Sequence, residues 1–388
     1  MRESSGSAGR QADKAFVAAI AVIFSAIHVI CPGTRALGEK PATAAPPESS
    51  SEAVAIAASL AAATPADDQP ALAAKADRLA MIRAEWVAPC LAPLGTATPG
   101  GANWLRSGLD RAVERLGPML SDETISAYVE DRLRPERARS LAFVWLRERD
   151  PARAANMADG FLEDPALDLR REAVERLIAK APSGDEASLK QAHRRALVAA
   201  RDIDQIERVA GWLKEHGEPV DLAKTFGFLQ HWRVSAMFDN VEGKGFGVAY
   251  PPESGDPVSV DTNGWKEVVS QDPHGIVDLN TEIEQKKGVL AYAVADIDLP
   301  RACSGEIRIG SPCAVIVWVN GRRVMAHEIY HASEAIDQYV ATADFRAGTN
   351  IIMVKCCQNE QTESWAADWK FQLRVCDAIG TPLGTQTR

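Results

Sequence analysis

At 388 residues, the chain is long enough for about two domains of ordinary size, and its 46% hydrophobic residues allow real cores. The formal net charge of −10 argues against a general nucleic-acid binder, which would need a basic face. We therefore expect no nucleic-acid partner and interpret the acidic residues as a solvated surface.

The N-terminus has the pattern of an export signal. Basic residues precede an apolar run over residues 15–30, which is shorter than the ~20 residues of a comfortable membrane span. Thr34 and Ala36 place small residues at positions −3 and −1 of a cleavage site. Residues 1–36 are therefore predicted to be the signal peptide of a periplasmic or extracellular protein. An uncleaved N-terminal segment is the alternative, and it would be the only membrane contact expected.

The next two segments differ in composition. Residues 37–70 are rich in Ala, Pro and Ser, which is typical of a disordered linker. Residues 71–221 carry apolar side chains at helical spacing, which predicts an all-α domain. Ser121 is predicted to cap one helix. The recurring Asp-Pro-Ala at Asp150 and Asp164 predicts two further helix starts, because Asp accepts from free N–H groups and Pro suits the first turn.

The stretch 135–181 resembles a HEAT-type helix pair, in which short antiparallel helices with recurring caps stack side by side. The resemblance covers one or two units, and an ordinary helical bundle is the alternative. Either architecture indicates a scaffold or a contact surface rather than a reaction.

Residues 222–388 are predicted to form an antiparallel β-sandwich, so the whole chain is expected to be α+β with two domains. The uninterrupted apolar run 314–319 is typical of a strand covered on both faces. Asn320 and Gly321 give the strongest hairpin signal, because a type I′ turn needs positive φ at both central residues. Trp318 is expected to fill the core between the sheets.

Three sequences in this part are similar to the central hairpin and later strands of galactose-binding-like jelly-roll modules. They are RIGSPCAVIVWVNGRRV (308–324), AGTNIIMVKCCQ (347–358) and WKFQLRVCDAIGTPL (369–383). The resemblance spans about residues 232–383 and implies a jelly-roll fold. Modules of this family often bind carbohydrate, and many only pack against their neighbours.

Residues 327–331 read HEIYH and match the H-E-x-x-H zinc motif. On a helix, His327 and His331 would share one face and bind zinc, with Glu328 as general base. A third ligand could come from one of three glutamates, Glu334, Glu360 or Glu363. The motif, however, directly follows a predicted strand, on which the two imidazoles would lie ~13 Å apart. We therefore expect a strand end or loop, no cofactor, and a zinc hydrolase only as the weakest hypothesis.

The binding candidates are aromatic residues and one arginine. Trp265, Trp365 and Trp369 lie in or beside predicted loops, where an exposed indole can stack on a sugar ring. Arg322 follows the hairpin turn. Packing of the tryptophans into the sandwich ends, and a solvated edge strand at Arg322, are the alternatives.

An even number of cysteines after removal of the signal permits disulfides in an exported chain. Cys356 and Cys376 are predicted to lie on paired strands, where a bridge is possible if their Cα atoms come within ~7 Å. Cys303 and Cys313 could clip the strand between them.

Together these patterns predict an exported, non-enzymatic binding or interaction protein. The helical part would be a scaffold, and the sandwich would recognise a glycan or a cell-envelope protein. A purely structural module without a small ligand is the alternative.

Overall fold

The structure, a computed structural model of the chain, describes residues 45–180, 185–253 and 260–386. The predicted signal peptide and its cleavage site lie outside the described residues. Residues Pro46–Arg388 form one compact unit. Within it, helices occupy residues 50–226 and antiparallel strands follow from residue 231 to residue 386. The predicted α+β order, helices first and sheets second, is confirmed.

The helical part begins earlier than predicted. Its helices are α1 (Ser50–Ala61), α2 (Gln69–Leu79), α3 (Ala84–Leu91), α4 (Pro99–Leu116), α5 (Asp122–Glu130), α6 (Glu136–Arg149), α7 (Pro151–Ala158), α8 (Leu167–Ala179), α9 (Glu186–Ala199), α10 (Ile203–Glu215) and α11 (Leu222–Phe226). The disordered linker expected at residues 37–70 is wrong from residue 50 onward. Ser49 caps α1, and Ile56 and Leu60 on α1 are buried in the helical core. The Ala-rich composition indicates a helix here because alanine has the best intrinsic helix propensity.

The predicted helix starts hold at two of three positions. Ser121 caps α5 and Asp150 caps α7, each accepting from a backbone N–H of the first turn. Asp164 does not cap a helix. Its buried carboxylate accepts two hydrogen bonds from the Arg139 guanidinium, at 2.7 and 2.8 Å. A buried carboxylate needs such a charged partner. Because Arg139 is on α6, this ion pair joins α6 to the loop before α8.

The β part consists of two antiparallel sheets that face each other. The strands are β1 (His231–Val234), β2 (Phe238–Asp239), β3 (Lys266–Val269), β4 (Val277–Asp278), β5 (Val289–Leu299), β6 (Cys303–Gly310), β7 (Ala314–Val319), β8 (Arg322–His327), β9 (Tyr339–Phe345), β10 (Gly348–Cys357), β11 (Lys370–Cys376) and β12 (Thr385–Gln386). A short helix, α12 (Leu279–Glu282), follows β4.

The larger sheet has the order β3-β1-β5-β10-β7-β8, with β2 and β12 also pairing with β5, and the smaller has the order β4-β11-β6-β9. Side chains from both sheets form one core. Trp232 of the larger sheet meets Phe371 of the smaller sheet edge-on, with ring centroids 5.0 Å apart. The predicted antiparallel sandwich is therefore confirmed.

The central hairpin follows the predicted register. Val319 of β7 pairs with Arg322 of β8, so Asn320 and Gly321 alone form the turn. Their φ angles are 49° and 78°, the left-handed values that a type I′ turn requires.

Every residue of β7 is buried because the larger sheet is covered on both faces. Val315 and Val317 face the smaller sheet. Trp318 points to the opposite, outer face, where it packs near Tyr292. The position expected for Trp318, between the sheets, is therefore wrong, because alternate residues of a strand face opposite sides.

Lys355 on β10 binds the covering segment, residues 246–253, which lies on the outer face of the larger sheet. Its side chain is fully buried, and its ammonium group donates to the carbonyls of Phe246 and Val248 at 3.1 and 2.8 Å. The Glu253 carboxylate lies 2.9 Å away, and the Tyr292 ring centroid lies 5.6 Å away. A buried ammonium ion is tolerated only when it is paired and hydrogen-bonded, so this lysine is structural.

A second ionic cluster lies where the helical part meets the smaller sheet. The Asp337 carboxylate accepts from Arg374 Nε at 2.7 Å and from Arg308 at 2.8 Å. Arg374 also donates to the carbonyl of Phe226 at the end of α11. Burial alone would raise the pKa of Asp337, but the hydrogen bonds and charges of the two arginines outweigh burial and lower that pKa. The cluster therefore ties the helices to the sandwich through a charged carboxylate.

Candidate functional site

The loops at one end of the sandwich bring chemistry-bearing side chains together. Strand pairing sets Cys357, at the end of β10, opposite both Leu290 at the start of β5 and Ala314 at the start of β7. The segment that follows β10 and the segments that precede β5 and β7 therefore lie at the same end of the sandwich. We call residues 240–247, 283–288, 328–338 and 358–369 the loop end. Loops at the end of a rigid scaffold are a common location for binding residues.

Trp365 is the most exposed aromatic side chain of the described chain, with 63% of its surface accessible. The His331 ring stands edge-on to the indole, at 5.2 Å between centroids and 90° between planes. His331 Nε2 lies 2.7 Å from Asn359 Oδ1, which fixes the imidazole. His331 has a φ of 57°, a value that is uncommon for a non-glycine residue and typical of constrained functional sites. The indole is thus supported on one edge and open to solvent.

A buried amide joins the loops of this end. Asn240 is fully buried, and its Nδ2 donates to the Tyr330 hydroxyl at 3.2 Å and to the Gln358 carbonyl at 3.0 Å. Its backbone N–H donates to the Gly288 carbonyl at 2.8 Å. Burial raises the pKa of Tyr330 to about 12, so the phenol stays neutral at ordinary pH. Asn240 therefore hydrogen-bonds to each of the other three loop segments, to two through its side chain and to one through its backbone N–H.

The surface around Trp365 is polar, and carboxylates outnumber lysines on its loop segments. Asn359 Nδ2 donates to Gln361 Oε1 at 2.9 Å. Three exposed glutamates lie on the same loop segments, Glu328, Glu360 and Glu363. An aromatic face bordered by amide, imidazole and carboxylate groups can stack on an apolar ring face and hydrogen-bond to hydroxyl groups.

The H-E-x-x-H residues do not form a zinc-binding helix. His327 ends β8 and stacks on Tyr339 at 4.0 Å, whereas His331 lies in the following loop. Glu334, one suggested third ligand, is paired with Lys370 at 2.8 Å. Within residues 45–180, 185–253 and 260–386, no group of three or more His, Cys, Asp or Glu side chains is placed to hold a metal ion. The predicted strand end followed by a loop is confirmed.

The other binding candidates do not join Trp365. Trp369 is fully buried and donates from Nε1 to the Cys356 carbonyl at 3.2 Å, so a surface role for it is wrong. Trp265 is half-buried against the outer face of the larger sheet. Arg322 has an 80% exposed side chain, 3.5 Å from Asp344, and lies at the opposite end of the sandwich.

The predicted disulfide partners lie apart. The described cysteines are all free thiols. Cys356 is on β10 of the larger sheet and Cys376 is on β11 of the smaller sheet, so the strand pairing expected for them is wrong. Cys303 begins β6, and Cys313 follows the far end of that strand. Seven steps of ~3.3 Å separate the ends of β6 by about 23 Å, so no bridge can join Cys303 to Cys313.

The helical part has a groove of about 440 Å³ beside Trp145. Three of the five charged side chains that line it, Arg106, Asp110 and Arg149, already have partners, and Glu114 and Glu148 are exposed. Asp110 accepts from Trp145 Nε1 at 2.7 Å and pairs with Arg106 at 3.2 Å. Arg149 pairs with Asp122 at 2.7 Å. The groove therefore offers few free polar groups to a ligand, and the loop end is the stronger candidate.

Sequence reasoning identified Trp365 but missed Asn240, Tyr330 and Asn359 as its surroundings. One signal was available for Asn359, since the polar run QNEQ at 358–361 directly follows a buried strand. Asn240 carried no comparable signal, because its partners are distant in sequence.

Among the described residues, no helix combines the length and the hydrophobicity that crossing a bilayer requires. A scan against protein-family models finds no match to this chain, and a search of curated proteins finds none either.

Proposed function

We propose that this chain is an exported, non-enzymatic binding protein whose sandwich recognises carbohydrate at the loop end. The helical part, with its HEAT-like pattern, would serve as a scaffold. The observation that carries the proposal is Trp365, an indole that is 63% exposed and supported by a fixed His331 ring. An exposed indole held by a fixed neighbouring ring presents a flat apolar face on which a sugar ring can stack, and a binding role accounts for this arrangement.

The charge of the site favours one class of glycan. The exposed carboxylates of Glu328, Glu360 and Glu363 would repel sulfated or uronic-acid polymers. Neutral sugars have no such penalty, and their C–H faces can stack on the Trp365 indole. The proposed ligand is therefore a neutral glycan, with Asn359 and His331 as its nearest hydrogen-bonding groups.

A glycan array tests the proposal with the full chain and a Trp365→Ala variant. We expect the parent protein to bind neutral glycans and the variant to lose at least tenfold in affinity, since stacked aromatic residues dominate such contacts. Leu133→Ala is the matched control, because Leu133 is an apolar side chain, 96% exposed, in the helical part. Equal binding by Trp365→Ala and parent would disprove the assignment of the site.

A purely structural sandwich is the second candidate. It is favoured by the packing of Trp369 and Trp265 against the body of the sandwich rather than on its surface. Absence of binding to any glycan on the array, together with a folded parent protein, would support this candidate.

A further inference from the structure

Two cysteines face each other in the core between the sheets. Cys356 on β10 lies opposite Val315 of β7, and Cys313 stands two residues before Val315. Both side chains belong to the core cluster between the sheets, so both thiols point into that core. Cys357 points to the opposite side of the larger sheet and belongs to the outer-face cluster.

The two thiols are neighbours in this core. The Cys313 side chain is one of the groups that raise the pKa of Cys356, and both thiols lie against the same backbone segment, residues 368–370. Cys313 Sγ is 3.3 Å from the Asp368 carbonyl, and Cys356 Sγ is 4.0 Å from the Lys370 carbonyl.

The backbone at Cys313 is not held by the sheet. Residues 312 and 313 form a bend just before β7 begins. The N–H of Cys313 donates to Ser311 Oγ rather than to a neighbouring strand. Diagonal neighbours within a regular ladder stay ~7–8 Å apart, which is too far for a disulfide. A cysteine outside the ladder is free of that constraint.

We propose that Cys313 and Cys356 form a disulfide when the protein meets an oxidant of the disulfide class, such as oxidised glutathione or a thiol–disulfide oxidoreductase. The two thiols lose two protons and two electrons and form one S–S bond. The oxidant's disulfide takes up both and becomes two thiols. The bond would anchor the bend before β7 to the middle strands of the larger sheet.

Burial determines when the bond forms. Cys313 is 4% exposed and Cys356 is 1% exposed. Burial and the neighbouring Cys313 thiol also raise the pKa of Cys356, and the thiolate is the reacting form. Exchange in the folded protein is therefore slow, and the bond forms during folding or transient opening.

Peptide mapping tests the pairing. The full chain is unfolded and reduced, refolded in a mixture of oxidised and reduced glutathione, and its remaining thiols are alkylated in denaturant. We expect one cross-linked peptide pair containing Cys313 and Cys356, two hydrogens lighter than the reduced pair, with Cys303 and Cys376 alkylated. Complete alkylation of Cys313 and Cys356, or linkage of either one to another cysteine, would overturn the proposal.

Unfolding in urea gives a second readout. The oxidised parent is expected to have a higher midpoint than the reduced parent, because the bond restricts the unfolded chain. Cys313→Ala should abolish this difference, and Cys303→Ala should retain it. If Cys313→Ala does not fold, the mapping of the parent still decides, and an unchanged difference in a folded Cys313→Ala variant contradicts the pairing.

Discussion

Replacing Lys355 with methionine tests whether the buried ammonium group holds the covering segment on the larger sheet. Methionine keeps much of the volume and removes the charge. Glu253, whose side chain is 16% exposed, then keeps the Tyr292 hydroxyl but loses its cationic partner, and two backbone carbonyls lose a donor. Removing one member of a buried ion pair costs about 3–5 kcal/mol because the remaining charge is uncompensated. We expect the free energy of unfolding to fall by that amount.

Urea unfolding of the full chain, followed by tryptophan fluorescence and circular dichroism, measures the change. Glu253→Gln and the double variant complete a thermodynamic cycle. The double variant leaves no isolated charge, so its cost should be lower than the sum of the single costs by about 0.5–3 kcal/mol. Lys214→Met, at an exposed position on α10, is the control and should change stability by less than about 0.5 kcal/mol. A cost below about 1 kcal/mol for Lys355→Met, or simple additivity in the cycle, would refute the reasoning.

Three further predictions, one of them with a matched control variant, test the fold and the candidate motifs. Gly321→Val should cost about 1–3 kcal/mol in urea unfolding, because valine is strained at the φ of 78°. Arg322→Ala should cost less than ~0.5 kcal/mol, and equal effects of the two variants would contradict the turn assignment. The lowered pKa of Asp337 means that its contribution is complete above the unfolded pKa of about 3.9 and is lost as pH falls through the folded pKa. Asp337→Asn should therefore lower stability at neutral pH and flatten the acid limb of a stability–pH curve; an unchanged acid limb would show that other carboxylates control it. His327→Ala should leave folding and glycan binding intact, and metal analysis showing stoichiometric zinc in the parent but not in the variant would revive the zinc hypothesis.

The stretch AGTNIIMVKCCQ, which resembles a jelly-roll strand, contains three polar residues that hold parts of the sandwich together. In AGTNIIMVKCCQ, Asn350 is buried and accepts from Arg346 and Asn320, which joins two turns at one end of the sandwich. Lys355 holds the covering segment on the larger sheet. Gln358 donates a hydrogen bond to the carbonyl of Ala367 at the loop end. These positions are structural, and their roles depend on partners that are distant in sequence.

The order of helices before sheets, the strand β7 and the two-residue turn at Asn320 and Gly321 could all be predicted from the residues alone. These features depend on local causes, namely residue periodicity, the burial of an apolar run and the φ angles that Asn and Gly tolerate. Two features needed the folded structure, namely the sheet face on which Trp318 lies and the helix formed by the Ala-rich segment from residue 50.

The candidate site also depended on the tertiary structure. The exposure of Trp365, the burial of Trp369 and the placement of Cys313 and Cys356 in one core follow from strand pairing and sheet packing. The physical reason is that pairing sets together residues 30 or more positions apart, such as His331 with Trp365 and Cys313 with Cys356. The periodicity of a single strand predicts which side chains share a face, but it does not predict which strand pairs with it.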